Sequence, residues 1–131
     1  ARPGRSMVPT RNRDAMEHLN ALRQVTLALD RVTLAGFSIS GLATYIQIPE
    51  LDVCFDIGRA PHFALTSNIV CISHGHMDHL AGIAYYLSQR FFQGMKPGLV
   101  LLPRELVPAV NEVLRGWRNS EPLRARRWRT S

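Results

Sequence analysis

Apolar residues follow a two-residue period in the first part of the chain, and this period predicts strands. Three runs at 32–39, 42–48 and 51–57 are rich in β-branched and aromatic residues and are separated by short turns, so they predict a β-meander. A fourth run at 69–72 is apolar throughout, as is typical of a strand that is buried on both faces.

A helical period replaces the strand period after this run. Residues 78–93 form an amphipathic stretch that is followed by Gly94, and they predict a helix. A further buried strand is predicted at 99–102 and a second helix at 104–114. The order of these elements predicts an α+β fold in which helices cover a sheet. The apolar face of the first helix is predicted to contain Leu80, Ile83, Ala84, Leu87 and Phe91.

Both ends of the chain differ from this pattern. Residues 1–13 are basic and rich in Pro and Gly, as is typical of a lead-in segment. Residues 14–29 have apolar positions at helical spacing that suit a short helix, although the β-branched residues that follow favour a strand. From residue 115 the pattern is lost and arginines dominate. The predicted division is a lead-in at 1–30, a domain at 31–117 and a basic tail at 118–131.

The chain has a formal net charge of +6, and 15 of its 16 basic residues are arginines. Arginine donates two parallel hydrogen bonds to phosphate, so an anionic partner such as RNA is one interpretation. Codon usage in a GC-rich genome is an alternative of equal weight. The arginines and the tryptophan at 124–129 could contact RNA phosphates and stack on a base, but a disordered basic tail or out-of-frame sequence is the favoured interpretation.

Cys54 and Cys71 are the two cysteines of the chain, and both lie in apolar runs. They are too few for a disulfide framework, so we expect free thiols in a cytoplasmic protein. No apolar run is long enough to cross a bilayer, and residues 1–13 lack the apolar stretch of a signal peptide. We therefore expect no membrane partner.

The segment ISHGHMDHLAG places His74, His76, Asp78 and His79 between a buried strand and an amphipathic helix. Imidazole nitrogens and carboxylate oxygens are common zinc ligands. Because side chains alternate along an extended chain, His74 and His76 are expected on one side, and the following turn brings Asp78 and His79 to a second point nearby. Four unrelated surface residues are the alternative, but this spacing favours a site for two metal ions that can act together on the attacking and leaving oxygens of an in-line displacement.

The HxHxDH motif formed by His74, His76, Asp78 and His79 resembles that of the metallo-β-lactamase superfamily. The flanking sequence FDIGRAPHFALTSNIV before the motif, and the segment with Lys96–Pro97 after it, resemble the short form of ribonuclease Z, a transfer-RNA 3′-processing endonuclease. The resemblance covers about residues 36 to 115. It implies the N-terminal half of an αββα sandwich and a zinc-dependent endoribonuclease that removes 3′ trailers from precursor tRNA.

The same resemblance implies roles for single residues. His74 and His76 would bind one zinc ion, and Asp78 and His79 would bind a second. Asp78 would also be catalytic, because it would orient or deprotonate the attacking water. Asp56 would hold a histidine ring by a hydrogen bond, although a turn-forming Asp is an equal alternative. His62 is a further candidate for lining the site, with a solvated loop histidine as the alternative.

The chain also departs from the family. The family takes further ligands from a later histidine, a bridging aspartate and a final histidine, but no His, Asp or Cys follows His79 here, and the later carboxylates are Glu105, Glu112 and Glu121. One sheet face is also expected to lack its cover. Three explanations are to be tested: the chain is a fragment of a longer protein, it is a truncated or frame-shifted product, or it is completed by association, for example as a homodimer.

Two other functions compete with this interpretation. The chain could belong to another hydrolase of this fold that acts on a small ester, thioester or cyclic nucleotide, or it could be a non-catalytic remnant.

Overall fold

Six strands form a single mixed sheet in the computed structural model, which describes residues 24–120. The strands lie in sequence order across the sheet; β1 to β4 pair antiparallel, whereas β4, β5 and β6 pair parallel. The predicted α+β class is therefore confirmed for the described residues. The strands are β1 Val25–Leu29, β2 Val32–Ile39, β3 Ala43–Ile48, β4 Val53–Phe55, β5 Ile69–Cys71 and β6 Leu99–Leu101.

Within residues 24–120, three α-helices and three short 3-10 turns connect or follow the strands. The turns are Pro49–Leu51, His62–Thr66 and Arg104–Leu106, and the helices are α1 Met77–Leu80, α2 Ile83–Phe92 and α3 Val107–Ser120. None of the helices within residues 24–120 is long and apolar enough to span a membrane.

The predicted element at the start of the sheet differs from the observed one. The short helix that was compatible with 14–29 is wrong over its last part, because Val25–Leu29 pairs antiparallel with β2. Backbone pairing with a neighbouring strand outweighs the helical spacing of the apolar residues there. Residues 14–23 and the tail beyond 120 lie outside the described residues.

Both predicted helices also differ from the observed ones. The single helix predicted at 78–93 is two helices, α1 and α2, because the chain bends at Gly82 where it approaches the 58–60 loop. The helix predicted at 104–114 begins as a 3-10 turn, and α3 continues to Ser120. Residues 115–120 lack the helical pattern in the sequence but are helical in the structure.

The helices and the 3-10 turn at His62–Thr66 pack on one face of the sheet and bury the core there. Tyr45, Cys54 and Val70 are fully buried on this face, together with Tyr86 of α2. Burial, followed by the nearby charge of Asp56, raises the pKa of the Cys54 thiol to about 12. Both cysteines are free thiols, as expected, although Cys71 is only half-buried.

Arg90 of α2 is only 1% exposed although it carries a charge. Its guanidinium donates hydrogen bonds to the backbone carbonyl oxygens of Leu65, Ser67 and Lys96 and to the Asn68 side chain. These bonds satisfy the buried cation and tie α2 to the segment that leads into β5. The buried face of α2 thus includes Tyr86 and Arg90, whereas Phe91, which was predicted to be buried, is exposed.

The opposite face of the sheet is apolar and exposed. Partnered residues on neighbouring strands point to the same side, so the register defines a line across all six strands. Most of its large side chains are exposed, with Val25 at 67%, Phe55 at 46% and Leu101 at 50%. The expectation of a sheet face without a cover is confirmed for residues 24–120. The line contains Val25, Gly36, Ile46, Phe55, Cys71 and Leu101.

Candidate metal centre

The four residues of the HxHxDH motif and Asp56 meet at one edge of the sheet. Asp56 follows β4 and Ser73 follows β5, and these two strands are parallel neighbours. The carboxyl ends of parallel strands lie side by side, which is why Asp56 contacts both Ser73, 17 positions later, and His79, 23 positions later. α1 then begins at Met77 and carries Asp78 and His79.

Tight backbone geometry brings these segments together. Asp56 has a positive φ of 60°, a conformation that Asp tolerates better than most side chains do. Its backbone N–H donates to the carbonyl oxygen of Cys71 at 2.8 Å, while the next two N–H groups, of Ile57 and Gly58, donate to the carbonyl oxygen of His79 at 3.0 and 3.2 Å. The ends of β4 and α1 are thereby fixed to each other through the main chain.

The carboxylate of Asp56 is the hub of a side-chain network. It accepts hydrogen bonds from the backbone N–H of Ser73 at 2.8 Å and from the Ser73 hydroxyl at 2.9 and 2.8 Å. His79 contacts the same carboxylate, with Nδ1 2.8 Å from Oδ2. Asp56 is buried, so these bonds also satisfy an otherwise costly charge. The predicted contact of Asp56 with a motif histidine is present in this geometry.

Two pairs of atoms, each of a type that can bind a metal ion, lie beside this hub. Nε2 of His74 lies 3.0 Å from Nδ1 of His76, and Nε2 of His79 lies 3.3 Å from Oδ2 of Asp78. The His74 ring also contacts the His79 ring, with centroids 4.1 Å apart, so the two pairs are adjacent. The structure thus brings all four predicted ligand residues together.

The atom types and separations of the two pairs fit zinc, but the number of ligands in each pair does not. Ligand atoms at about 2.0–2.1 Å from a tetrahedral zinc ion lie about 3.3 Å apart, close to the separations within the two pairs. Each pair supplies two of the usual four positions. No group of three or more His, Cys, Asp or Glu side chains within residues 24–120 is arranged to hold one metal ion. The pairs therefore resemble two half-sites, and further donors would have to complete each of them.

The pair formed by His79 and Asp78 has a distinct electrostatic property. A neutral His79 whose Nδ1–H donates to Asp56 has a bare lone pair on Nε2, and the Asp78 carboxylate can only accept. Two acceptors at 3.3 Å repel each other unless a proton or a metal cation lies between them. This atom pair is therefore suited to a cation.

Asp78 is also held by a segment that is distant in sequence. The backbone N–H of Gly41, in the turn between β2 and β3, donates to Oδ2 of Asp78 at 3.0 Å. Desolvation raises the pKa of Asp78, but backbone hydrogen bonds from Gly41 and Asp78 itself and the nearby histidines outweigh it, so the pKa lies below its ordinary value. The carboxylate is thus kept ionised and oriented.

His62, the remaining candidate, has different surroundings. It is exposed at the start of the 3-10 turn His62–Thr66, and its ring contacts Phe63 with centroids 4.4 Å apart. Among the described contacts, none joins His62 to the motif, so its place in the site stays a prediction without structural support.

Two groups that contact the motif were not predicted from the sequence. The Ser73 hydroxyl lies 2.9 Å from Nδ1 of His74, and its position directly before the motif was a signal that could have been used. The Gly41 N–H is 37 residues from Asp78, and nothing near the motif in sequence indicates it.

Comparison with known proteins identifies relatives of the chain. A tRNase Z of Arabidopsis thaliana is 36% identical over 102 residues, which are 76% of this chain and 36% of that protein. A nuclear ribonuclease Z of Triticum aestivum is 35% identical over 98 residues, or 72% of this chain and 56% of that protein. A chloroplastic tRNase Z of A. thaliana is 30% identical over 94 residues, or 72% of this chain and 27% of that protein. No protein-family model matches.

This chain is a homologue of ribonuclease Z. The resemblance to that family, which lies in the metallo-β-lactamase superfamily, is therefore confirmed. The family is one of hydrolases that cleave RNA. The matched part spans between 27% and 56% of the length of these ribonuclease Z relatives.

Proposed function

We propose that this chain forms the motif-bearing part of a zinc-dependent phosphodiesterase that removes 3′ trailers from precursor tRNA. The single observation that carries the proposal is the arrangement of two adjacent pairs of candidate ligand atoms. Nε2 of His79 faces Oδ2 of Asp78, and Nε2 of His74 faces Nδ1 of His76. The names of the relatives, tRNase Z and nuclear ribonuclease Z, support precursor tRNA as the substrate.

The chain's own residues would divide the work as follows. His74 with His76 would hold one zinc ion, and Asp78 with His79 would hold a second. The bound ions would supply Lewis acidity toward a phosphodiester. Asp56 orients the His79 ring, so that Nε2 faces Oδ2 of Asp78, where the two atoms together would hold an ion. Asp78, kept ionised by the Gly41 N–H, would accept a hydrogen bond from the attacking water and orient it.

The proposed architecture is the N-terminal half of a metallo-β-lactamase-like αββα sandwich. The mixed sheet with helices on one face and an exposed apolar opposite face supports it. In such a sandwich a second sheet with its own helices covers the open face, and later residues complete the two half-sites. A second copy of this chain as the cover, and a cytoplasmic location, stay predictions.

The first test is a comparison of two phosphodiester substrates with the zinc-loaded protein expressed from its complete gene. We expect cleavage of a precursor tRNA at its 3′ trailer, and weaker cleavage of a small chromogenic phosphodiester. Preference for the small substrate would instead favour a hydrolase of small esters or cyclic nucleotides. Absence of both activities in a zinc-loaded protein would favour a non-catalytic remnant.

Substitution of the motif tests the assigned residues in the same assay. We expect His76→Ala and Asp78→Ala each to lower the rate by more than about 100-fold, because loss of a residue that merely supports a ligand costs about 10- to 100-fold. Glu112→Ala, on the exposed surface of α3, is the matched control and should keep the full rate. Full activity in either motif variant, with the fold intact by circular dichroism, would contradict the roles given to these residues.

A further inference from the structure

The hydroxyl of Ser73 lies between the Asp56 carboxylate and the His74 ring. Its oxygen is 2.9 and 2.8 Å from the two carboxylate oxygens of Asp56 and 2.9 Å from Nδ1 of His74. The backbone N–H of Ser73 makes a separate hydrogen bond to Asp56 at 2.8 Å. The hydroxyl is therefore not needed to hold the Ser73 backbone against Asp56, and some other role must explain its position.

Counting protons settles the direction of these bonds. The serine hydroxyl has one proton, and a carboxylate can only accept. If the hydroxyl donated to His74, its lone pairs would face both oxygens of a charged carboxylate at less than 3 Å, which is repulsive. The hydroxyl therefore donates to Asp56 and accepts from Nδ1–H of His74. The His74 ring must then carry its proton on Nδ1.

This tautomer leaves Nε2 of His74 bare, and Nε2 is the atom that faces His76. Asp56 fixes His79 in the same tautomer by direct contact with Nδ1. The buried Asp56 carboxylate thus fixes the tautomer of one histidine in each pair of candidate ligand residues. It acts directly on His79 and through the Ser73 hydroxyl on His74.

We propose that Ser73 is a positioning residue, which relays the Asp56 carboxylate to His74 and fixes the ring with Nε2 free to bind a cation. Without the relay, Nδ1 of His74 loses its acceptor, and the ring can place its proton on Nε2 instead. The consequence for zinc rests on the proposed function, but the tautomer does not, because it follows from the contacts of the chain itself.

The chain offers a matched pair of variants. Ser73→Ala removes the hydroxyl and keeps the backbone N–H bond to Asp56, so the fold should be retained. Ser73→Thr restores a hydroxyl on the same carbon. Ser73 is exposed, so the extra methyl group of Thr has room.

The deciding measurement is the ring-nitrogen spectrum of the metal-free chain, labelled with ¹⁵N-histidine and recorded at about pH 8.5. His74 is assigned by the loss of its signals in His74→Ala. We expect the Nδ1–H form for His74 in the original chain and in Ser73→Thr, and a shift to Nε2–H or to a mixture in Ser73→Ala. His79 should keep Nδ1–H in all three, since it contacts Asp56 directly. An unchanged His74 tautomer in Ser73→Ala, or Nε2–H in the original chain, would overturn the proposal.

Zinc affinity of the protein expressed from its complete gene, as in the first activity test, gives a second readout and is measured by competition with a chromophoric chelator. We expect the affinity to fall about tenfold in Ser73→Ala and to recover in Ser73→Thr, as for other residues that orient a ligand ring. If the tautomer shifts as expected but no variant binds zinc, the metal-site function fails while the relay stands. If zinc binds equally well in all three and the tautomer is unchanged, the relay fails and the function stands.

Discussion

Tyr45 carries its hydroxyl into the core, where the oxygen has no hydrogen-bond partner among the described residues. Its ring packs edge-on against Phe37 and stacks on Phe63. Burial, followed by the charge of Cys54, raises the pKa of this phenol well above its ordinary value. The ring therefore contributes packing, whereas its hydroxyl is a buried polar group that costs free energy.

Removing this hydroxyl should stabilise the chain. We expect Tyr45→Phe to raise the free energy of unfolding by about 1 kcal/mol, the lower end of the cost of an unsatisfied buried group. Tyr86→Phe is the matched control, because the Tyr86 hydroxyl donates to the carbonyl oxygen of Ser67, and its loss should destabilise by about 1 kcal/mol. Urea denaturation followed by circular dichroism measures both. A stability loss in Tyr45→Phe would mean that the hydroxyl has a partner.

The motif residues could be predicted from sequence because their chemistry is local. Alternation along an extended segment and one turn are enough to bring His74, His76, Asp78 and His79 together. Asp56 was predicted only through the family resemblance, and its contacts depend on the parallel pairing of β4 with β5. Contacts that depend on pairing between distant segments, such as that of Gly41 with Asp78, leave no periodic trace in the sequence.

At the scale of elements, Gly82 separates α1 from α2 and lies against the loop that follows β4. Its N–H donates to the carbonyl oxygen of Gly58 at 2.8 Å. A Cβ at this position would lie 2.3 Å from the backbone nitrogen of Ala60, a distance that requires the backbone to move. Its φ of −80° is accessible to any residue, so close approach rather than backbone freedom requires glycine here.

Substitution of Gly82 should therefore separate the loop from the helices. We expect Gly82→Ala to lower the free energy of unfolding by about 2 kcal/mol or more, as overpacking typically does. Gly116→Ala in α3 is the matched control, since a Cβ there meets nothing within 4 Å, and it should gain up to about 1 kcal/mol of helix propensity. Thermal melting of both variants measures the difference. If Gly82→Ala melted at the same temperature as the original chain, the loop would move away from the helices at no cost in free energy.

The strands and helices were predictable wherever the spacing of apolar residues stayed regular over the whole element. The run at 32–39 was predicted with the bounds that β2 has, and the apolar run at 69–72 is β5 with one extra residue. The pattern of 78–93 also indicated helix, but it did not show the bend at Gly82 or the burial of Arg90. Arg90 is buried because backbone carbonyls of other segments surround it, and periodicity treats any arginine as exposed.

On the scale of the whole molecule, the most prominent feature is the apolar sheet face opposite the helices. A contiguous apolar surface across six strands is unusual for an isolated domain. The missing cover was predicted from the family resemblance alone. The strand pattern could not predict it, because alternating residues that face a second layer resemble those that face a core.

The open face should be detectable in the 131-residue chain. We expect it to bind the dye ANS with strong fluorescence and to associate at high concentration. Leu27→Thr combined with Leu101→Thr should reduce both effects, because these exposed side chains lie on opposite edge strands of that face.

The control for this experiment is Val70→Thr, which introduces the same hydroxyl on the helix-covered face of β5. It should lower the melting temperature and leave dye binding to the native chain unchanged. Weak dye fluorescence in a monomeric original chain would mean that some other part of the chain shields the face.

The hydrogen bond from Gly41 to Asp78 joins the hairpin between β2 and β3 to the motif. The distance between the Gly41 N–H and the Asp78 carboxylate depends on how far the turn extends beyond β2 and β3, and Gly41 has a φ of 75° in this turn. One inserted or deleted residue would move the N–H by several ångströms and release the carboxylate. Natural variation in the length of this turn would therefore change the orientation of the Asp78 carboxylate, although every residue of the HxHxDH motif stays the same.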